Sequence, residues 1–220
     1  MNGIIFNDRQ DAGQRLAVKL THYAGRDDVV VLGLPRGGLP VAFEVSEALD
    51  APLDVFLVRK LGVPGRKEFA MGAIAMGGVQ VMNRDVVDWM GVTPEDIERV
   101  AESERNEMDR RNKAYRGDRP LPELRGKIVI LVDDGLATGA TMRAAVTGLR
   151  AFDPEKIVVA VPTGSPDVCA KFQDEADEVV CLSTPEPFEA VGAWYRDFSQ
   201  TSDEEVRELL AKSRKNRGVN

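Results

Sequence analysis

The chain has 220 residues, of which 43% are hydrophobic and 30% are charged, so it is long enough to bury the core of one domain. Its formal net charge of -7 makes the average surface repel nucleic acid, and the lack of any long apolar stretch excludes a membrane span. The start of the chain does not resemble a signal peptide, and we expect a cytoplasmic protein. Cys169, Cys181 and the single His22 fit no metal-ligand pattern, which predicts two core thiols.

Helical periodicity and continuous apolar runs alternate along the chain. In chain order, the patterns predict a helix over 11–23, a strand over 29–34, a helix over 40–49, a strand over 53–58, a loop over 60–69, a hairpin over 72–82, a helix over 93–116, a strand over 128–132, a helix over 141–151, a strand over 156–161, a helix over 168–172, a strand over 178–182 and a helix over 202–215. The apolar runs are typical of strands that are buried on both faces of a parallel sheet.

This alternation of strands and helices predicts an α/β fold. We expect a single doubly wound domain over residues 1–220, built on a mostly parallel five-stranded sheet. A small hairpin and hood region is added to it. Residues 61–82 supply a glycine-rich loop and the hairpin, and residues 183–200 supply an aromatic hood.

The loop after the third predicted strand carries the strongest functional signal. It contains two acids, two glycines and two hydroxyl groups: Asp133, Asp134, Gly135, Gly139, Thr138 and Thr141. The glycines allow a tight turn that brings backbone amides close to an anion, and the following helix points its positive end at the same place. Because carboxylates repel phosphate, the two acids are expected to bind hydroxyl groups or a divalent cation. The combination indicates a ribose 5-phosphate.

The segment 132–142 resembles the signature of the type I phosphoribosyltransferases, which bind 5-phosphoribosyl-1-pyrophosphate (PRPP), and a wider resemblance covers residues 28–200. It implies that Asp133 and Asp134 hold the ribose hydroxyls, act in catalysis and contact Mg²⁺ indirectly through PRPP. It also implies that the following residues bind the 5′-phosphate: Gly135, Leu136, Ala137, Thr138, Gly139, Ala140 and Thr141.

The segment 34–38 also follows a strand and opens a helix. Arg36 offers a planar fork of donors for phosphate oxygens, and Gly37 and Gly38 allow a close backbone approach. By the same resemblance this is the pyrophosphate loop, and we predict a cis peptide bond between Pro35 and Arg36. A simple turn and helix cap is the alternative.

Four further cations are candidates for pyrophosphate binding. Arg59 and Lys60 end the next strand and point to opposite faces, and similar enzymes favour the lysine position. The segment 61–69 resembles the mobile loop of the family, in which Arg66 and Lys67 would close over the leaving group. A plain surface loop is the alternative.

The segment 187–198 is rich in aromatic residues, and Phe188 and Trp194 are candidates for a wall on which a flat base stacks. Packing without a ligand is the alternative. The 6-oxopurine enzymes of the family carry an aspartate at the position of Ala137, whereas alanine resembles the adenine and orotate branches. The acceptor base therefore stays open.

These residues imply an enzyme in which Mg²⁺, Arg36 and Lys60 stabilise departing pyrophosphate while a nitrogenous base attacks the sugar. A regulatory protein that binds PRPP without turnover is the main alternative, and a phosphatase or receiver-like domain is another. The expected partners are PRPP and a base, without nucleic acid or membrane, and a homodimer is left open.

Overall fold

The structure, a computed structural model, describes residues 5–218 apart from the side chains of residues 67 and 68. Its strands are β1 (Val29–Gly33), β2 (Leu53–Val55), β3 (Val58–Val63), β4 (Arg66–Ala75), β5 (Gln80–Met82), β6 (Ile128–Val132), β7 (Lys156–Thr163) and β8 (Glu178–Ser183). Its α-helices are α1 (Arg9–Lys19), α2 (Gly38–Leu49), α3 (Arg84–Met90), α4 (Pro94–Arg116), α5 (Ala140–Arg150), α6 (Pro166–Phe172) and α7 (Asp203–Asn216). None of the helices in this range combines the length and apolar character that crossing a membrane requires.

A parallel sheet in the order β2-β1-β6-β7-β8 confirms the predicted α/β fold. Every residue of β1 and β6 is buried, as their unbroken valine, isoleucine and leucine runs predict. Gly33 at the end of β1 lies opposite Val132 at the end of β6. The chain continues from β1 to β2 on one side and reaches β6 on the other. The two loops that follow β1 and β6 therefore meet at the switch point where open α/β sheets bind ligands.

The predicted strand over 53–58 is divided between two sheets. β2 ends at Val55, and Val58 begins β3, where it pairs with Ala75 of β4. Phe56 donates its amide to the Gly33 carbonyl at 3.0 Å and then leaves the parallel sheet. The antiparallel sheet has the order β3-β4-β5.

The predicted loop over 60–69 is wrong, because β3 and β4 form a hairpin there. The chain turns at Gly65, which has φ 74°. Leu61 and Met71 are fully buried, and their packing against the core outweighs the low strand propensity of the glycines around them. The predicted hairpin over 72–82 is confirmed by the pairing of β4 with β5.

Two local features differ from the sequence expectations. Helix α3 was not predicted, and it begins at Asn83, whose side chain accepts a hydrogen bond from the Val86 amide. Cys169 and Cys181 form a disulfide bond between α6 and β8 rather than two separate thiols. Eleven residues lie between the two cysteines in the sequence, and only the packing of α6 on β8 brings them together.

Candidate active site

The loop that follows β6 is fixed in its middle. Leu136 donates its amide to the Thr163 carbonyl at 2.9 Å and accepts a hydrogen bond from the Ser165 amide at 2.9 Å, which attaches the loop to the end of β7. Gly139 has φ 74° and caps α5, whose first amides have no acceptor within the helix. Residues 137–138 are exposed between these points. The loop thus presents amides and the positive end of a helix, as an anion requires.

Gly135 is required by a close contact. A Cβ atom there would lie 2.4 Å from Cγ1 of Val191 in the aromatic segment. The aromatic segment therefore lies directly on the acidic loop. Thr138 and Thr141, the predicted phosphate donors, are exposed on the loop and at the start of α5.

The acid pair is held at the end of β6 in a poorly solvated position. Asp133 accepts a hydrogen bond from the Asp134 amide at 2.9 Å. Burial raises the pKa of Asp133 well above its usual range, and the charge of Asp134 raises it further. Burial also raises the pKa of Asp134, against the lowering effect of Arg9. Two neighbouring carboxylates in such a position are costly, which is typical of a functional site.

The loop after β1 touches this acid pair through its two glycines. A Cβ atom on Gly37 would lie 2.0 Å from Oδ2 of Asp134, and one on Gly38 would lie 2.9 Å from Cα of Asp133. Leu34 also donates its amide to the Val132 carbonyl at 2.9 Å. The two predicted binding loops therefore form one surface. A side chain at Gly38 would meet the backbone of the other loop, and a side chain at Gly37 would meet the Asp134 carboxylate.

Arg9, at the first position of α1, is a residue of this surface that the sequence did not indicate. Its Nε and Nη2 atoms lie 2.9 and 2.8 Å from Oδ2 of Asp134. Its Nη1 atom donates to the Ser199 carbonyl at 2.7 Å, and its guanidinium lies 4.0 Å from the Phe198 ring centre. Tyr195 donates its hydroxyl to the Asp134 carbonyl at 2.6 Å. The acid pair is thus connected to both α1 and the aromatic segment.

Arg36 lies in the predicted loop, and its side chain is directed towards α7. The peptide bond between Pro35 and Arg36 is cis, which confirms the prediction. Nη1 of Arg36 lies 3.7 Å from Oδ1 of Asp203, the first residue of α7. Asp203 also accepts a hydrogen bond from the Tyr115 hydroxyl at 2.6 Å, and burial together with this bond raises the pKa of Tyr115 to about 12.

Arg59 and Lys60 face different surroundings, as the pleat of β3 predicts. Arg59 donates from Nε to Glu104 of α4 at 2.7 Å. Lys60 is exposed and lines a cleft of about 280 Å³ between the antiparallel sheet and α5, opposite Thr141. A second, smaller space beside Leu34 and Pro35 is lined by Arg59, by Thr141 and by Arg111 of α4, which the sequence did not indicate.

The two remaining cation candidates lie at the start of β4. Arg66 is exposed beside the turn of the β3–β4 hairpin. The side chain of Lys67 lies outside the described part of the chain. In the aromatic segment, the Phe188 and Trp194 rings stack with an interplanar angle of 19° and a centroid distance of 6.5 Å.

Comparisons with known proteins agree with this geometry. The phosphoribosyl transferase domain, as a family sequence model, matches residues 5–193. Rv0571c of Mycobacterium tuberculosis H37Rv, whose name assigns it provisionally to the phosphoribosyl transferases, is 51% identical over 206 residues, which are 94% of this chain and 46% of the relative. The chain thus spans about half the length of the curated relatives it matches most fully.

Solved structures share the fold. TT1426 of Thermus thermophilus is 44% identical, with a TM-score of 0.84 over 95% of this chain and 99% of the other. A hypothetical protein of Neisseria gonorrhoeae, solved with bound ppGpp, is 17% identical, with a TM-score of 0.52 over 96% of this chain and 97% of the other. At that identity the second similarity concerns the fold alone.

Proposed function

This chain belongs to the phosphoribosyl transferase family, and we propose that it moves the phosphoribosyl group of PRPP to a nitrogenous base and releases pyrophosphate. One observation carries the proposal: the acid pair, Asp133 and Asp134, lies against Gly37 and Gly38 and beside the free amides at the start of α5. PRPP needs such a combination, because its hydroxyls suit carboxylates while its phosphates suit amides and cations.

Each part of PRPP is assigned to one part of this surface. The 5′-phosphate is assigned to the turn over residues 135–141 and the ribose hydroxyls to the acid pair. The pyrophosphate is assigned to the loop over residues 35–38. The cations that would neutralise it are Arg36, Arg59, Lys60, Arg66 and Lys67.

In the proposed reaction the anomeric C–O bond breaks as a base nitrogen forms the new C–N bond. Positive charge builds on the ribose ring and negative charge on the pyrophosphate. The buried carboxylates of Asp133 and Asp134 would stabilise the first charge, and Arg36 and Lys60 would stabilise the second once Arg36 turns from Asp203. Stabilising these charges only as they develop is what accelerates the reaction.

The acid pair fits a Mg²⁺ ion that arrives on PRPP better than a resident metal ion. Among the residues that the structure describes, no group of three or more acids, histidines or cysteines is placed to hold a metal ion. Of the two carboxylates, Asp134 already binds Arg9. When bound, Mg²⁺ would neutralise charge on the pyrophosphate, and it takes most of its ligands from substrate and water.

The acceptor is proposed only as a flat nitrogenous base. The stacked rings of Phe188 and Trp194 favour a planar ligand, and Ala137 provides no carboxylate to act as a general base. A role in nucleotide metabolism and a cytoplasmic location follow from these proposed substrates.

A regulatory protein that binds PRPP without turnover is the second candidate. Two of the cations assigned to pyrophosphate already lie beside acidic residues, which favours this candidate. Arg36 lies near Asp203, and Arg59 binds Glu104. Turnover would require these arginines to exchange their partners for pyrophosphate.

The test is pyrophosphate release from PRPP and Mg²⁺ with a panel of purine and pyrimidine bases. We expect one base to stimulate release, and we expect Asp133→Asn to abolish it. Asp118→Asn, at an exposed acid outside the site, is the matched control and should behave as the unaltered protein. PRPP binding without release for any base would favour the regulatory candidate. No binding of PRPP would contradict both.

A further inference from the structure

Arg9 has a specific task in the proposed site. We infer that Arg9 is a positioning residue: it fixes the Asp134 carboxylate in the orientation that receives the ribose hydroxyls. This inference rests on the proposed function and adds a residue from outside both loops.

The contacts of Arg9 leave one carboxylate oxygen for the sugar. Both Nε and Nη2 of Arg9 approach the same atom, Oδ2 of Asp134, at 2.9 and 2.8 Å. Oδ2 is also the atom that faces Gly37. Oδ1, the other oxygen, is therefore the one assigned to a ribose hydroxyl. A carboxylate held through one oxygen cannot rotate freely, so its second oxygen is pre-oriented for a ligand.

The surroundings make this pair stronger than a surface ion pair. The side chains of Arg9 and Asp134 are 11% and 15% exposed. In such a position charge attraction is screened less by water, while an unpaired charge is expensive. Asp133 lies next to Asp134, and Arg9 contacts Asp134 and lowers the pKa of both carboxyl groups, against the effect of burial. Arg9 therefore compensates a repulsion that would otherwise force the two carboxylates apart.

Arg9 also joins the acid pair to the aromatic segment. Its Nη1 atom donates to the Ser199 carbonyl at 2.7 Å, and its guanidinium packs over the Phe198 ring. Arg9 uses the N–H groups along its edges for Asp134 and Ser199 and one flat face for Phe198 at the same time, which a lysine ammonium on a flexible stem cannot reproduce. Arg9 thereby sets the distance between the acid pair and the segment assigned to the base.

The chain offers a matched control on the same helix. Arg15 of α1 also pairs with an aspartate, Asp11, at 2.8 Å, and its guanidinium lies 5.7 Å from the Phe6 ring centre. Its side chain is 45% exposed, and it does not contact the acid pair. Arg15→Gln therefore removes a similar set of interactions away from the proposed site.

The experiment measures the affinity of wild type, Arg9→Gln, Arg9→Lys and Arg15→Gln for three probes by calorimetry in Mg²⁺. The probes are PRPP, ribose 5-phosphate and inorganic pyrophosphate. We expect Arg9→Gln to weaken PRPP and ribose 5-phosphate by about tenfold or more, because a buried partner of Asp134 is lost. The pyrophosphate affinity of Arg9→Gln should stay at the wild-type value. For the two sugar phosphates, the affinity of Arg9→Lys should lie between those of wild type and Arg9→Gln, and Arg15→Gln should match wild type.

A purely structural role for Arg9 predicts a different result, with equal losses for pyrophosphate and for the two sugar phosphates. That result would overturn the inference, as would sugar-phosphate affinity that is unchanged or higher in Arg9→Gln. If Arg9→Gln does not fold, Arg9→Lys decides between the same outcomes. Wild type that binds no PRPP would overturn the proposed function as well, whereas PRPP binding that is insensitive to Arg9 would overturn this inference alone.

Discussion

Among the residues that the structure describes, two aspartate–arginine pairs have side chains at most 15% exposed, and they serve different ends. Asp54 of β2 and Arg116 at the end of α4 lie 3.1 Å apart with side chains 11% and 1% exposed. Arg9 and Asp134 have side chains 11% and 15% exposed, and they lie beyond the carboxyl end of β6. For both aspartates, burial raises the pKa and the arginine lowers it. Both pairs join a carboxylate to a guanidinium, and they lie at different places in the fold.

The difference shows why a buried ion pair alone does not identify a binding site. Arg116 also donates to the Pro120 carbonyl and to Asn112, so its partners other than Asp54 of β2 lie in or just after α4. Asp134 lies against the exposed loop that leads to α5. A buried charge inside the fold serves to connect elements, whereas one at the carboxyl edge of parallel strands can also meet a ligand.

The largest effect is expected when the Asp54–Arg116 pair, the enclosed pair, is broken. Arg116→Ala should lower the free energy of unfolding by about 3–5 kcal/mol, because it leaves the buried Asp54 side chain without its guanidinium partner. Urea unfolding measures the loss, and PRPP affinity of the folded fraction should not change. Arg116→Met combined with Asp54→Asn should restore part of the stability. Unchanged stability in Arg116→Ala would show that the two pairs do not differ as described.

The next largest effect is expected for the Asp134–Arg9 pair, the open pair. Asp134→Asn should weaken PRPP binding by about tenfold or more, because an amide is a poorer acceptor for ribose hydroxyls. It should cost less stability than Arg116→Ala, since the new amide oxygen can still accept from Arg9, which keeps its contacts to Ser199 and Phe198. Calorimetry with PRPP and urea unfolding together test this. A large stability loss with normal PRPP affinity would make the open pair structural as well.

A smaller effect follows from the space beside the open pair. Gly37 has helical angles, φ -60° and ψ -32°, so Gly37→Ala strains no backbone. Its new methyl group would meet the Asp134 carboxylate, and moving that side chain should lower PRPP affinity more than stability. Gly38→Ala is the comparison variant, because it would meet two backbone atoms, the Val132 carbonyl oxygen at 2.7 Å and Cα of Asp133 at 2.9 Å, and should therefore lower stability more than Gly37→Ala does, in addition to lowering PRPP affinity. Equal behaviour of the two variants would contradict the assigned contacts.

The parallel sheet and the acidic loop could be predicted from the sequence, because their signals are local. The apolar runs 29–34 and 128–132 and the acids that follow the second run are continuous in the chain. The division of 53–58 could not be predicted, since Phe56 and Leu57 are apolar and become buried whichever sheet the chain follows.

Arg9 could not be predicted for a different reason. It lies 125 positions from Asp134, and the pattern of α1 gives it no distinction from Arg15. Its contact with Asp134 forms only when α1 packs beside the end of β6. For Arg59 and Lys60 the pleat predicted opposite faces, but the position of Glu104 on α4 was needed to show which face holds an acid.

The smallest expected effect is the pH dependence of the enclosed pair, and its sign reports which force dominates at Asp54. Burial is the largest influence and raises the pKa of Asp54 above its ordinary value of 3.8, although Arg116 opposes it. The folded state therefore holds the proton more firmly than the unfolded state does. The contribution of Asp54 to stability is then greatest at low pH and falls as pH rises through its folded pKa.

Asp54→Asn removes that contribution, so the stability of wild type relative to this variant should decline as the pH rises from 3.8, the ordinary pKa of aspartate, towards neutrality. Urea unfolding across this range measures the difference and cancels the carboxylates that both proteins share. A difference that instead grows with pH would mean that Arg116 outweighs burial. In that case the Asp54–Arg116 pair would stabilise the charged form of Asp54. Of the two aspartates, only Asp134 would then have a pKa that burial raises.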